Sequence, residues 1–202
     1  MHLALTSEWK TFRWGSVESK DKVSSLLDPS GALWPLTEDV RQKAKPQEVE
    51  REYRAQVQQA LAVGIHPTHL DTHMGSALAT PEIVAVYVKI AHEFHLPILA
   101  PRIPGDPLKL SAQLSEKDVM VDSVTIAGPN VSADKWKDFY LDAIKNMKSG
   151  LNEIIVHLGH PDYGSAWRQR DFDVVSSPEF KKALQDNHIV LVRWKDLQKL
   201  VQ

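Results

Sequence analysis

No cysteine occurs among the 202 residues. This removes disulfides, thiol catalysis and thiolate metal sites, and leaves histidine and carboxylate as the ligands available to a zinc-like ion. No apolar run approaches the roughly 20 residues that a membrane span needs. The opening Met1-His2-Leu3-Ala4-Leu5-Thr6 lacks the charged and apolar regions of a signal peptide, so the expected location is the cytoplasm. An excess of one charge sign is missing too: 24 Lys and Arg stand against 26 Asp and Glu, without a dense basic run. Neither nucleic acid nor an anionic membrane is therefore an expected partner. What is present, 43% hydrophobic and 25% charged residues, suits one soluble globular domain with a full core, read here as a single domain over residues 1–202.

The most informative stretch is Thr68-His69-Leu70-Asp71-Thr72-His73-Met74-Gly75. A strand repeats every two residues and would aim His69, Asp71 and His73 at one face, and imidazole converging with carboxylate is metal-site chemistry. By composition alone, a His-x-x-x-His pair with Asp at its centre is expected only about 0.03 times in this chain. A helix would instead bring His69 and His73 together one turn apart and send Asp71 elsewhere. Pro67, Thr68 and Thr72 favour the strand. Asp71 can serve as a ligand or as the group that holds a ligand's second ring nitrogen, and both roles stay open at this level.

Apolar periodicity and punctuation predict alternating helices and strands. A helix from Pro46 to Gly64 carries the stripe Val49, Tyr53, Val57, Ala60 and Leu61, with Glu48, Glu50, Arg51, Glu52 and Arg54 on a solvated face. Thr80-Pro81-Glu82 starts a second helix with Ile83, Val84, Tyr87, Ile90, Ala91 and Phe94 inward, followed by a strand at Leu96-Pro97-Ile98-Leu99. A third helix runs from Ser132 to about Ser149, and Glu153-Ile154-Ile155-Val156-His157 follows as a buried strand. Ser177-Pro178-Glu179 caps a fourth helix, and Ile189-Val190-Leu191-Val192 reads as the last strand. Such alternation implies α/β architecture with a parallel sheet, open or closed into a barrel. His2, Thr6 and Glu8, the His69–His73 triplet, and His157 with His160 all gather at strand ends, where parallel α/β folds collect their ligand and catalytic groups. Residues 7–36 and 100–131 are long irregular loops, suited to the walls of a site. Within the first, Trp9, Trp14 and Trp34 offer aromatic faces that could wall a small-ligand site or pack in the core. His66, His92, His95 and His188 read as surface residues. The first strand starts almost at residue 1, with nothing before it to supply an adjacent strand or a covering helix, so an amino-terminal portion of the domain is expected to be absent.

Several segments together match a known pattern: His2-Leu3-Ala4-Leu5-Thr6-Ser7-Glu8-Trp9, Phe12-Arg13-Trp14-Gly15, Pro67 through Gly75, Pro101-Arg102, Glu153 through His157, and Arg170-Asp171-Phe172-Asp173 before Ser177-Pro178-Glu179-Phe180. In these the chain resembles the YdjC-like carbohydrate deacetylase family, also called ChbG/HpnK. The resemblance implies an irregular, TIM-barrel-like (β/α) barrel that removes acetyl groups from N-acetylated sugars with a divalent metal ion, Mg2+ or Zn2+. The ion would be held by an Asp and two His, the latter mapping onto His2 and His73. The family's Asp-Asp pair, which supplies the metal Asp and the base, has no counterpart: the sequence contains no Asp-Asp dipeptide. The barrel is thus expected to be incomplete, with about 60 residues of two βα units missing, the metal weakly bound and the activity impaired. A second departure is Leu158, where the family more often has Pro.

Further roles follow from that resemblance. His157 would donate the proton to the leaving amine, Arg102 or Arg170 would orient a carboxylate or developing oxyanion, His69 and Asp71 would be alternative ligands or partners of the ligands, and Glu8, Trp9 and Trp14 would contact the sugar. A rival reading is a non-catalytic sugar-binding or interaction module. A phosphoesterase is disfavoured, since neither a Gly-rich phosphate loop nor a basic rim is found. An exposed sheet edge would favour association into a homodimer.

Overall fold

The computed structural model describes residues 1–160 and 165–201. In chain order its elements are β1 (His2–Leu3), α1 (Thr37–Lys43), α2 (Pro46–Ala62), β2 (Asp71–Thr72), α3 (Pro81–Glu93), β3 (Ser123–Ile126), α4 (Trp136–Lys145), β4 (Asn152–Ile155), α5 (Ala166–Ser176), α6 (Pro178–Asp186) and α7 (Trp194–Leu197), with short 3-10 turns between them. They divide into two units, one of Met1–Met120 with Arg193–Gln202, the other of Val121–Val192.

In the first unit β1 and β2 pair in parallel, His2 beside Asp71 and Leu3 beside Thr72. Leu70 makes a further parallel bridge to Ile98, with its N–H on the Pro97 carbonyl and its own carbonyl accepting from Leu99, each at 2.9 Å. The expected 96–99 strand is therefore reduced to a single bridge. Helix α3 is held by the Thr80 side chain, which accepts from the Ile83 N–H, and by Pro81 in its first turn, where a missing N–H costs nothing. It buries Ile83, Val84, Tyr87 and Ile90 as expected, and Val86 and Val88 as well, and Tyr87 donates its hydroxyl to the Leu70 carbonyl at 2.7 Å. Leu3, Leu5, Val49, Tyr53, Val57 and Leu70 complete the apolar core.

Helix α2 corrects the sequence reading. Glu48 and Glu52 are buried, while Leu61 is exposed. Both carboxylates face the first long loop: Glu52 accepts the backbone N–H groups of Val17 and Glu18 at 2.9 and 3.0 Å, and Glu48 accepts that of Ser25 at 2.7 Å. Charged residues can be buried when backbone donors replace water. The neighbouring Gln56 amide accepts from the Ala4 N–H at 3.0 Å and donates to the Ala4 carbonyl at 2.7 Å. A side chain thus supplies the backbone pairing that a neighbouring strand would otherwise give.

In the second unit β3 and β4 pair in parallel from Ser123 beside Asn152 to Ile126 beside Ile155. Strand β3, in the stretch read as a loop, was not anticipated, nor was α5. Helix α4 stops at Lys145, short of the expected Ser149, and buries Trp136, Tyr140 and Ile144. The Ser177 hydroxyl caps α6 by accepting from the Phe180 N–H at 3.2 Å. The expected strand at Ile189–Val192 does not form. Val190 is 81% exposed, and among the described residues no strand is paired with this segment; β-branched residues make a strand only where a neighbour satisfies their backbone. Of the described residues, no helix is long and apolar enough to cross a membrane.

Candidate metal-type histidine site

The register of β1 and β2 puts His2 and Asp71 side by side on one face and Leu3 and Thr72 on the other, buried, face. At His73 the chain leaves the strand for a tight turn. Met74 and Gly75 adopt φ of 52° and 66°, a left-handed backbone that glycine enters freely, and the buried Thr72 hydroxyl closes the turn by accepting from the Ala77 N–H at 2.7 Å. The His73 ring, just before this turn, meets that of His2, with ring centroids 5.3 Å apart at 76°.

Four side chains then form one continuous series. Asp71 Oδ2 lies 2.8 Å from His2 Nδ1, His2 Nε2 lies 3.3 Å from His73 Nδ1, and His73 Nε2 lies 2.9 Å from Glu8 Oε2. Carboxylates occupy the outer nitrogens while the inner nitrogens face each other. Burial works to raise the pKa of both carboxyls. Even so, hydrogen bonding from His2 and the Thr72 N–H holds Asp71 below its ordinary value, and His73, with the Trp9 side chain, does the same for Glu8. No group of three or more His, Asp or Glu that could hold a metal ion is gathered among the described residues.

The third member of the triplet lies close enough to Asp71 and His2 for their charges to act on it but has a different ring partner. The His69 ring stacks on Trp194, centroids 4.5 Å apart and 11° from parallel, and burial, reinforced by the nearby amino terminus, pushes its pKa down to about 4. Aromatic groups flank His73 instead. Trp14 lies 5.8 Å from it and Phe12 6.3 Å from Trp14, with Phe12 and Trp9 largely exposed. Their loop is pinned by the buried Ser7, whose hydroxyl accepts from the Trp14 N–H and Arg13 Nε, and by Arg13 donating to Asp28 and to the Leu33 carbonyl. Trp34 has a structural role, donating to the Ser25 carbonyl at 2.8 Å under the Lys43 ammonium. Arg102 is exposed in the loop after Ala100.

His157, in the second unit, lies two residues past the end of β4 and meets Trp167 edge to face at 5.2 Å. Its backbone N–H donates to Asp171 Oδ2 at 2.7 Å. The same carboxylate, 1% exposed, accepts from Trp136 Nε1 at 2.8 Å and from the Tyr140 hydroxyl at 2.9 Å; burial and then this bond push the Tyr140 pKa upward. Arg170 lies 5.6 Å over the Trp136 ring. Sequence reasoning gave Asp171 no role beyond its place in a matching segment. Its one further signal was position, three residues before the buried Val174 on the same helix face.

A family model described as YdjC-like protein matches residues 1–186. A carbohydrate deacetylase of Thermus thermophilus is 31% identical over 200 residues, covering 93% of this chain and 74% of that protein. Another, from Brevibacillus brevis, is 27% identical over 98% of this chain and 77% of its own length. A solved structure from Enterococcus faecalis, described as a candidate cellobiose-phosphate cleavage protein, superposes with a TM-score of 0.81 at 21% identity, over 98% of this chain and 76% of that one. The mixed α/β fold with short parallel strands is therefore shared.

Proposed function

The chain belongs to the YdjC-like family, and from that premise we propose that it is a metal-dependent carbohydrate deacetylase domain whose His2 and His73 hold a divalent ion. The supporting observation is the 3.3 Å between His2 Nε2 and His73 Nδ1. Two nitrogens bound to one tetrahedral zinc at about 2.05 Å each stand roughly 3.3 Å apart, so the pair fits as it stands. Imidazole donors favour zinc over magnesium. The ion, when bound, would supply Lewis-acid polarisation of the acetyl carbonyl and an acidified water. Phe12, Trp9 and Trp14 provide apolar faces for a sugar ring. His157, Arg102 and Arg170 keep the proton-donating and orienting roles the resemblance implies. We read residues 1–202 as one domain of an irregular (β/α) barrel, since the family match runs through both units.

Two imidazoles without a carboxylate hold a divalent ion weakly, and the two carboxylates nearest the pair are already bonded to its outer nitrogens. Acetate release by this polypeptide is accordingly slow. The exposed aromatic rim also favours a second reading, a sugar-binding module without turnover. Calorimetric titration of the full chain with Zn2+ tests the metal site. Binding of one ion, weakened at least tenfold by His2→Ala and by His73→Ala, is expected, and binding indifferent to both substitutions would overturn the proposal. Incubation with an N-acetylated oligosaccharide and Zn2+ tests the rest, and enzyme-like acetate release would refute the impairment.

A further inference from the structure

We propose that Asp71 and Glu8 are positioning residues that set the two imidazoles as opposite tautomers, His2 protonated on Nδ1 and His73 on Nε2, so that both ring lone pairs face one point. This deepens the proposed function and rests on it. A neutral imidazole has one N–H and one lone pair, and a carboxylate accepts only. At 2.8 Å Asp71 Oδ2 therefore draws the ring proton of His2 to Nδ1, and at 2.9 Å Glu8 Oε2 draws that of His73 to Nε2. The remaining nitrogens, 3.3 Å apart, are then both acceptors. Without a cation such a pair repels, and with one it becomes a two-toothed ligand. Glu8, placed by the sequence among the sugar contacts, acts here on a histidine.

The two carboxylates contribute unequally. A free histidine side chain in water prefers its proton on Nε2. Glu8 thus reinforces the ordinary tautomer of His73 and chiefly orients the ring, whereas Asp71 imposes the less favoured one on His2. Removing Asp71 lets the His2 proton return to Nε2, where it points at His73 Nδ1, makes an ordinary hydrogen bond and closes the cation site. This is the carboxylate–histidine partnership of metal proteins, whose loss costs tenfold to a hundredfold in metal affinity.

The test uses the full chain, long-range 1H–15N correlation of the histidine rings, and titration with Zn2+ alone. Asp71→Ala is expected to move the His2 proton from Nδ1 to Nε2 and weaken zinc by about 10- to 100-fold. Asp71→Asn, which keeps a carbonyl acceptor, retains Nδ1–H and loses less affinity, and it stands in if the alanine variant folds poorly. Glu8→Ala weakens zinc while leaving His73 protonated on Nε2. A purely structural Asp71 would lower the melting temperature and leave the ring signals in place. Retention of Nδ1–H and wild-type zinc affinity in Asp71→Ala, with binding still dependent on His73, overturns this inference alone. Zinc binding that ignores His73→Ala overturns the proposed function with it.

Discussion

The two units are stabilised differently. The first is built on apolar burial, with Leu3, Leu5, Tyr53, Val57, Leu70, Tyr87 and Ile90 fully enclosed, and its buried carboxylates Glu48 and Glu52 each accept from backbone N–H groups of a loop. The second has a small apolar cluster of Trp136, Tyr140 and Val174, and its best-buried polar group, Asp171, sits among them with neutral donors around it. A core of many interchangeable apolar contacts degrades gradually when one is removed. A core organised on one carboxylate depends on that residue, because its loss strands several buried donors together.

The largest effect should come from Asp171→Ala, which leaves Trp136 Nε1, the Tyr140 hydroxyl and the His157 N–H without their acceptor. At roughly 1–3 kcal/mol per stranded donor, a loss of about 4 kcal/mol is expected. Urea unfolding and amide exchange would show it confined to residues 121–192, and uniform loss across both units would break the comparison. In the first unit Leu70→Ala removes a fully buried side chain and should cost about 3 kcal/mol through its cavity, read from the same unfolding curves. The capping substitutions Thr80→Ala and Ser177→Ala sharpen the contrast, because the local motif is alike in both units. Each should cost about 1 kcal/mol, so unequal values would show that the surroundings decide.

The smallest effect depends on pH. The folded His69 takes up its proton near pH 4, against 6.5 ordinarily. Between those values the unfolded chain binds a proton that the folded chain does not, so stability falls as pH drops from 6.5 to 4 and levels off below. His69→Phe keeps the stack on Trp194 and should flatten that limb of the melting temperature against pH. An unchanged slope would assign it to other groups.

How far the sequence could be read depended on the range of the interactions. Local signals were legible: Thr80-Pro81 and Ser177-Pro178 announced their helices, and Gly64, at φ 82°, ends the stretch that α2 occupies. Burial of Glu48 and Glu52 was hidden, because the backbone N–H groups that donate to their carboxylates come from residues 17–25, and no helical periodicity encodes a loop folded over a helix. The Ile189–Val192 run failed as a strand for the converse reason, since its composition describes a side-chain preference and a strand also needs a partner.

The sequence by itself determined the family, through motifs spread along the chain, and the chemistry available to it: imidazole and carboxylate without thiol. Which of those groups meet was decided by tertiary structure. His2 and His73 are 71 positions apart and Glu8 and His73 are 65 apart, and the spacing of the His69–Asp71–His73 triplet foretold neither pairing. Strand register set His2 against Asp71, His73 met His2 from the end of the same strand, and Trp194 took His69. Side-chain convergence is a property of the folded backbone, and sequence proximity substitutes for it only while the chain keeps one regular repeat.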